Sequence, residues 1–139
     1  QIEKEGRTIH LGMDIFSNKQ ETIYAPYEGM IVKAGKEEGS KTYGHYMIIE
    51  HISQGLKWYS FFGHLSSELL NKGTIIKAGD KIAKLGDFHE NGGWSIHLHY
   101  QLLTELPETE TPIGYSSIEN FELNTSLYPD SRIVLGSLY

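Results

Sequence analysis

Short apolar runs, each closed off by glycine, follow one another along most of this chain. Glu28–Gly35 (EGMIVKAG) sets an apolar core between glycines, and Tyr46–His51 (YMIIEH) follows a Tyr-Gly pair. Leu56–Phe62 (LKWYSFF) is rich in the aromatic residues that strands favour. Thr74–Ala78 and Lys81–Leu85 flank Gly79-Asp80, a dipeptide suited to a hairpin turn. Ile96–Leu102 (IHLHYQL) alternates apolar and polar residues at period two. Only Ser66–Lys72 (SSELLNK) reads as a helical turn, with Ser66 as its N-cap. Strands this short and closely spaced argue for a mainly β fold of antiparallel strands and hairpins rather than βαβ units. Ala25–Ala34 (APYEGMIVKA) and Lys77–Gly86 (KAGDKIAKLG) echo each other, which suggests a duplicated hairpin module.

Composition removes several function classes. The absence of cysteine excludes a disulfide framework, thiolate metal sites and a cysteine nucleophile. Twelve basic against 18 acidic residues give a net charge of −6, and lysines sit beside acids, as Lys36 does beside Glu37 and Glu38. With no basic stripe, no nucleic-acid partner is expected. No apolar run approaches the roughly 18 residues of a membrane span. Gln1–Arg7 is polar, unlike a signal peptide, and the chain does not start with methionine; it is expected to be a processed product or a piece of something longer. At Thr104–Pro112 (TELPETETP) the chain turns acidic and carries two prolines. The expected division is therefore a β domain over 1–103, then an arm and tail over 104–139 that packs back or leads into a further domain.

The chemistry lies in the histidines. Seven are present, and two clusters stand out: His10–Asp14 (HLGMD) and His97–His99 (HLH). In a strand, residues i and i+2 share a face about 6.6 Å apart, so His97 and His99 face one way and Ile96, Leu98 and Tyr100 the other. Two imidazoles on one face suit a metal site in which one ring binds and its neighbour handles protons. Zinc accepts imidazole nitrogen and carboxylate oxygen, and a catalytic zinc has three protein ligands with a fourth position for water. His10, Asp14 and one histidine of the second cluster would supply such a set. The chain has no H-E-x-x-H helix, so no glutamate is placed as general base. The remaining histidines must do that work, and neutral imidazole suits it near pH 7.

With these blocks in view, the chain resembles the LytM/lysostaphin-type zinc metallopeptidases. The matching segments are HLGMD (10–14), YAPYEGMIVKAG (24–35), YGHYMIIEH (43–51), YSFFGHLS (59–66), IIKAGDKIAKLGD (75–87) and HLHYQ (97–101), in the family's order. The resemblance implies a duplicated hybrid motif, like a barrel-sandwich hybrid, built from β-hairpins. It implies zinc (Zn2+) held by His10, Asp14 and His99, with His97 and His64 as catalytic histidines acting on water and on the oxyanion. It further implies an endopeptidase that cuts peptidoglycan cross-links or glycine-containing peptides, in the cell envelope or secreted. The chain departs from the family in two places. No tyrosine precedes His10, and ENGGWS (90–95) replaces the commoner Ser/Thr-Gly run before H-x-H, its glycines suggesting a mobile loop. ENGGWSIHLHYQ and SLYPDSRIVL (126–135) resemble a variant set in which such a domain is fused between a kinase-like and an aminotransferase-like part, which implies a cytoplasmic location.

Two other classes stand beside this one. A non-catalytic binding or regulatory module of the same fold would keep the scaffold inside a larger protein. A lipoyl- or biotinyl-type carrier would need a modifiable lysine at a hairpin tip, where Gly79-Asp80 stands instead. His51 is expected to be structural, His45 and His89 solvated loop residues, and Trp94 and Tyr43 candidates to line a groove.

Overall fold

In the computed structural model, residues 9–10, 12–107 and 115–116 are described, the two outer pairs as backbone only. The strands are β1 (Ile9–His10), β2 (Met13–Phe16), β3 (Thr22–Tyr24), β4 (Gly29–Lys36), β5 (His45–Ser53), β6 (Leu56–Leu65), β7 (Ile75–Ile76), β8 (Lys81–Lys84), β9 (His97–Leu103) and β10 (Tyr115–Ser116). They form a six-stranded sheet in the order β2-β9-β6-β5-β4-β7 and two pairs, β3-β8 and β1-β10. Every pairing is antiparallel. No helix occurs among the described residues, so none there is long and apolar enough to cross a membrane.

The six-stranded sheet buries both faces. One face carries Ile31, Met47, Ile49, Phe62, Leu98, Tyr100 and Leu102, which close against Ile82 and Ala83 of β8. The other carries Tyr46, Ile48, Tyr59, Phe61 and Leu103, with Val32 and Tyr43 beside them. A strand covered on both sides has no solvent face to populate with polar residues, which explains the near-continuous apolar run of β5. All seven residues of β9 are buried, and its alternation sorts apolar residues into the main core and polar ones onto the second face.

Two local expectations need correction. Ser66–Lys72 is not helical. Ser66 Oγ accepts from the Glu68 amide at 3.3 Å, as a cap would, but the chain then continues through irregular turns, with the Leu69 amide donating to Ser67 O at 3.0 Å. A single helical turn must meet the whole nucleation cost alone, and Leu69 and Leu70 pack against the core without it. Gly79-Asp80 does form a tight turn, with the Lys77 amide donating to Asp80 Oδ2 at 2.9 Å. The turn does not join a hairpin, because β7 pairs with β4 and β8 with β3. The echo of 25–34 in 77–86 thereby acquires a physical meaning. Each segment is the turn and following strand of a strand-turn-strand unit, β3–β4 and β7–β8, and the two units pair crosswise with each other rather than folding on themselves. The Ala25 amide donates to Asp80 O, and the Gly79 amide to Ala25 O, both at 2.8 Å.

The short strands β2 and β3 were not legible as apolar runs. The tail beyond Leu103 is described only as far as residue 107 and at β10, which pairs with β1. SLYPDSRIVL lies outside the described residues.

Candidate active site

The site forms on the second face of the sheet, where β2, β9 and β6 lie side by side. Asp14 is the direct cross-strand partner of His99, and Phe16 that of His97. Directly opposed side chains in antiparallel strands meet at short range. Asp14 Oδ1 accordingly stands 3.2 Å from His99 Nδ1 and 3.9 Å from His97 Nε2. Residues separated by 83 or more positions in sequence are joined by register alone.

His64 reaches the same place by a different device. In the β5–β6 pairing, His45 opposes Leu65 and Met47 opposes Phe62. Gly63 and His64 thus face the single residue Tyr46, which is a β-bulge, and His64 adopts φ 64°. Left-handed backbone is uncommon for a residue with a side chain. A bulge re-aims a side chain that strict alternation would send to the other face. Here Phe62 and Leu65 both remain in the core while the His64 ring comes to lie 4.3 Å, centroid to centroid, from that of His97.

Each of these rings has one nitrogen committed to a protein acceptor. His64 Nδ1–H donates to Asn91 O at 2.7 Å, and His97 Nδ1–H to Ser95 O at 2.8 Å. His99 Nε2 faces Gln101 Oε1 at 2.8 Å, so that nitrogen carries the proton and Nδ1 presents its lone pair toward Asp14. What remains for chemistry is Nε2 of His64, Nε2 of His97 and Nδ1 of His99. Burial pushes His64 down to about 3, and the neighbouring His97 and His99 act in the same direction against the Asn91 carbonyl and Asp14. Its ring therefore stays neutral at ordinary pH and can accept a proton-bearing group.

Aromatic residues enclose the site. Tyr43 lies 5.0 Å from His99 and 4.7 Å from Phe61, forming the floor. Trp94 meets His64 and His97 edge-on at 5.7 and 6.0 Å. Phe16 stacks on His97 at 4.7 Å while remaining 65% exposed, a rim position. Trp94 and Tyr43, the two candidates to line a groove, thus both lie beside the histidines. Phe16 and Gln101 went unnoticed in the sequence; each sits two residues from an expected site residue on the same strand face, so the period-two rule would have found both.

Asp14 and His99 could hold a metal ion between them. Zinc bonds of about 2.0–2.1 Å set ligand atoms of a tetrahedron about 3.3 Å apart, and the Oδ1–Nδ1 separation is 3.2 Å. Among the described residues no third His, Cys, Asp or Glu completes a set of three. The side chain of His10 lies outside the described residues; its backbone is in β1, just before β2.

Two of the other histidines are structural. His51 Nδ1–H donates to Glu28 O at 2.6 Å, and its Nε2 accepts from Ser60 Oγ at 2.7 Å. His45 is not a solvated loop residue: it opens β5 and its Nδ1–H donates to Glu90 O at 2.9 Å. His89 is exposed in the 87–95 loop, as expected.

Residues 8–112 match Peptidase family M23. The chain belongs to this family. It is 33% identical over 91 residues to the murein hydrolase activator NlpD of Escherichia coli, and 28% identical over 121 residues to the peptidoglycan DD-endopeptidase ShyB of Vibrio cholerae. These matches cover 66% and 83% of this chain but only 22% and 26% of the relatives, so the chain spans about a quarter of their length. Its fold is that of the catalytic domain of the antimicrobial peptidase lysostaphin from Staphylococcus simulans, with a TM-score of 0.58, 24% identity, and 81% and 77% of the two chains covered. The lysostaphin-type, all-antiparallel β architecture expected from the sequence is the one found.

Proposed function

We propose that this domain is a zinc-dependent metalloendopeptidase that hydrolyses peptide bonds in peptidoglycan cross-links or glycine-containing peptides. The observation that carries the reading is the facing pair Asp14–His99, with two further imidazoles, His64 and His97, beside it. In this reading His10, Asp14 and His99 hold the ion. Bound zinc supplies a Lewis acid for the scissile carbonyl and lowers the pKa of water to near 7.

The remaining work falls to side chains of the chain. His97, with Nδ1 fixed on Ser95 O, offers Nε2 within 3.9 Å of Asp14 Oδ1 and acts as the general base toward the attacking water. His64, held neutral, orients water or supports the carbonyl oxygen as charge builds on it. Phe16 and Trp94 border the histidines and limit solvent around them. The name of ShyB supports a peptidoglycan substrate, and with it a place in the cell envelope or outside the cell; a domain fused within a larger cytoplasmic enzyme would instead meet another short peptide.

The name of NlpD favours a second reading, in which the domain binds or regulates without cutting. Retention of Asp14, His99, His64 and His97 in one cluster weighs against it. Incubation with pentaglycine and with purified sacculi, with and without chelator, separates the two. Cleavage that the chelator abolishes is expected. Near one zinc per chain is expected in protein purified without added metal, none in His99→Ala, and wild-type zinc without turnover in His97→Ala. Bound zinc with no cleavage of either substrate favours the regulatory module.

A further inference from the structure

The two imidazoles nearest the Asp14–His99 pair take their orientation from one loop. His64 donates to Asn91 O and His97 to Ser95 O, four residues apart in the 85–96 connection between β8 and β9. That loop is organised around the side chain of Asn91, which is fully buried. Its amide nitrogen donates to Gly86 O and to Trp94 O, both at 3.0 Å. Its amide oxygen accepts from the Gly93 amide at 3.1 Å and the Trp94 amide at 2.9 Å. Two donors and two lone pairs are the full capacity of a carboxamide, and all four are used.

All four partners belong to the loop itself, at residues 86, 93 and 94. The Asn91 side chain therefore ties the loop's two ends together rather than tying the loop to the sheet. The attachment to the neighbouring 39–44 segment is made by other groups: the Lys41 amide donates to Gly92 O at 2.6 Å, and the Trp94 indole Nε1–H to Thr42 O at 2.8 Å. Gly44 packs against the main chain of Asn91, and Gly92 against Thr42 O, so closely that a Cβ at either glycine would overlap the other strand of chain. The loop is thus seated on the 39–44 segment by close glycine packing and the Trp94 indole, and shaped internally by one asparagine.

We propose that Asn91 is a positioning residue that sets the ring tautomer of both His64 and His97, so that each keeps its proton on Nδ1 and its lone pair on Nε2. The inference rests on the peptidase reading for its catalytic consequence but not for its structural one. Loss of the carboxamide leaves the Gly93 and Trp94 amides without their acceptor, shifts the Asn91 and Ser95 carbonyls, and lets both rings drift toward the Nε2–H form that unconstrained imidazole prefers. A ring with its proton on Nε2 has no lone pair at that nitrogen with which to accept.

The test is long-range 1H–15N correlation of the histidine rings in the full chain, metal-free and at mildly alkaline pH, with His64→Ala and His97→Ala used to assign signals. Wild type is expected to show Nδ1–H at both residues. Asn91→Ala, and Asn91→Asp, which keeps the acceptor oxygen but loses both donors, are expected to show mixed tautomers. Their zinc content should stay near wild type, with kcat on sacculi lowered about 10- to 100-fold, as for other residues that orient functional histidines, and KM little changed. Nε2–H tautomers at either residue in the wild type overturn the proposal without recourse to any variant. A variant that is thermally weakened yet keeps both Nδ1–H signals overturns it as well, since Asn91 would then be structural only. Wild-type protein that never cleaves defeats the peptidase reading but leaves the spectra to decide on Asn91.

Discussion

At the scale of single residues, the site depends on what is missing as much as on what is present. Gly12 lies between His10 and Asp14, and a Cβ there would overlap Nε2 and Cε1 of His99. The imidazole can lie across the start of β2 only because position 12 has no side chain. Gly12→Ala is therefore expected to push the His99 ring off Gln101 and Asp14. Zinc affinity, measured by competition with a chromophoric chelator, should fall about 10- to 100-fold, the usual effect of disturbing a ligand's supports, while the urea midpoint changes little. Unaltered affinity would mean that the ring has room to spare. His64 carries the opposite burden, a side chain on backbone that favours glycine, and left-handed φ costs roughly 1–2 kcal/mol. The Tyr43 carbonyl holds that conformation by accepting the His64 amide at 2.7 Å.

At the scale of elements, the β5–β6 hairpin separates stability from exposure along its own length. Phe61, wholly buried, packs between Tyr43 and Tyr46 at the centre of the second face. Phe61→Ala should cost about 3–5 kcal/mol by urea denaturation and remove the floor beneath His99. Leu56, at the turn of the same hairpin, is 73% exposed. Leu56→Ser should change stability by no more than about 0.5 kcal/mol. Comparable losses at the two positions would mean that the second face is not a core. The β2–β9 pairing matters for another reason. A shift of one residue reverses every side chain on a strand, so the register that opposes Asp14 to His99 also decides whether the site exists.

At the scale of the whole molecule, protons and metal both act on the folding equilibrium. Burial, against the raising effect of the Glu28 carbonyl, holds His51 below its ordinary 6.5, and His64 lies near 3. Below pH 6.5 the unfolded chain takes up protons that the folded chain refuses, so stability is full above 6.5 and is lost as pH falls. For His51 the loss stops at its lowered folded value, and for His64 it continues to about 3. Urea midpoints of metal-free protein should therefore decline from neutral toward mildly acidic pH, and less steeply in His51→Gln; equal slopes would remove His51 from the account. Free zinc at a hundred times its dissociation constant should add about 2.7 kcal/mol to the folded state, a gain that chelation reverses and that His99→Ala never shows.

Much of this was legible in the order of the residues, and the part that was not has a physical reason. Period two was enough to put His97 and His99 on one face, and glycine-cut apolar runs were enough for an antiparallel β fold, because both follow from geometry within a few residues. The blocks around His10, Asp14 and His64 were readable as family segments. Their meeting was not, since it depends on which strands pair. The cross-paired units that looked like one hairpin, the bulge that turns His64 toward His97, and the loop that Asn91 closes all arise from contacts between segments far apart in the chain. Local pattern specifies what a strand can bury, and only the packed sheet decides what it faces.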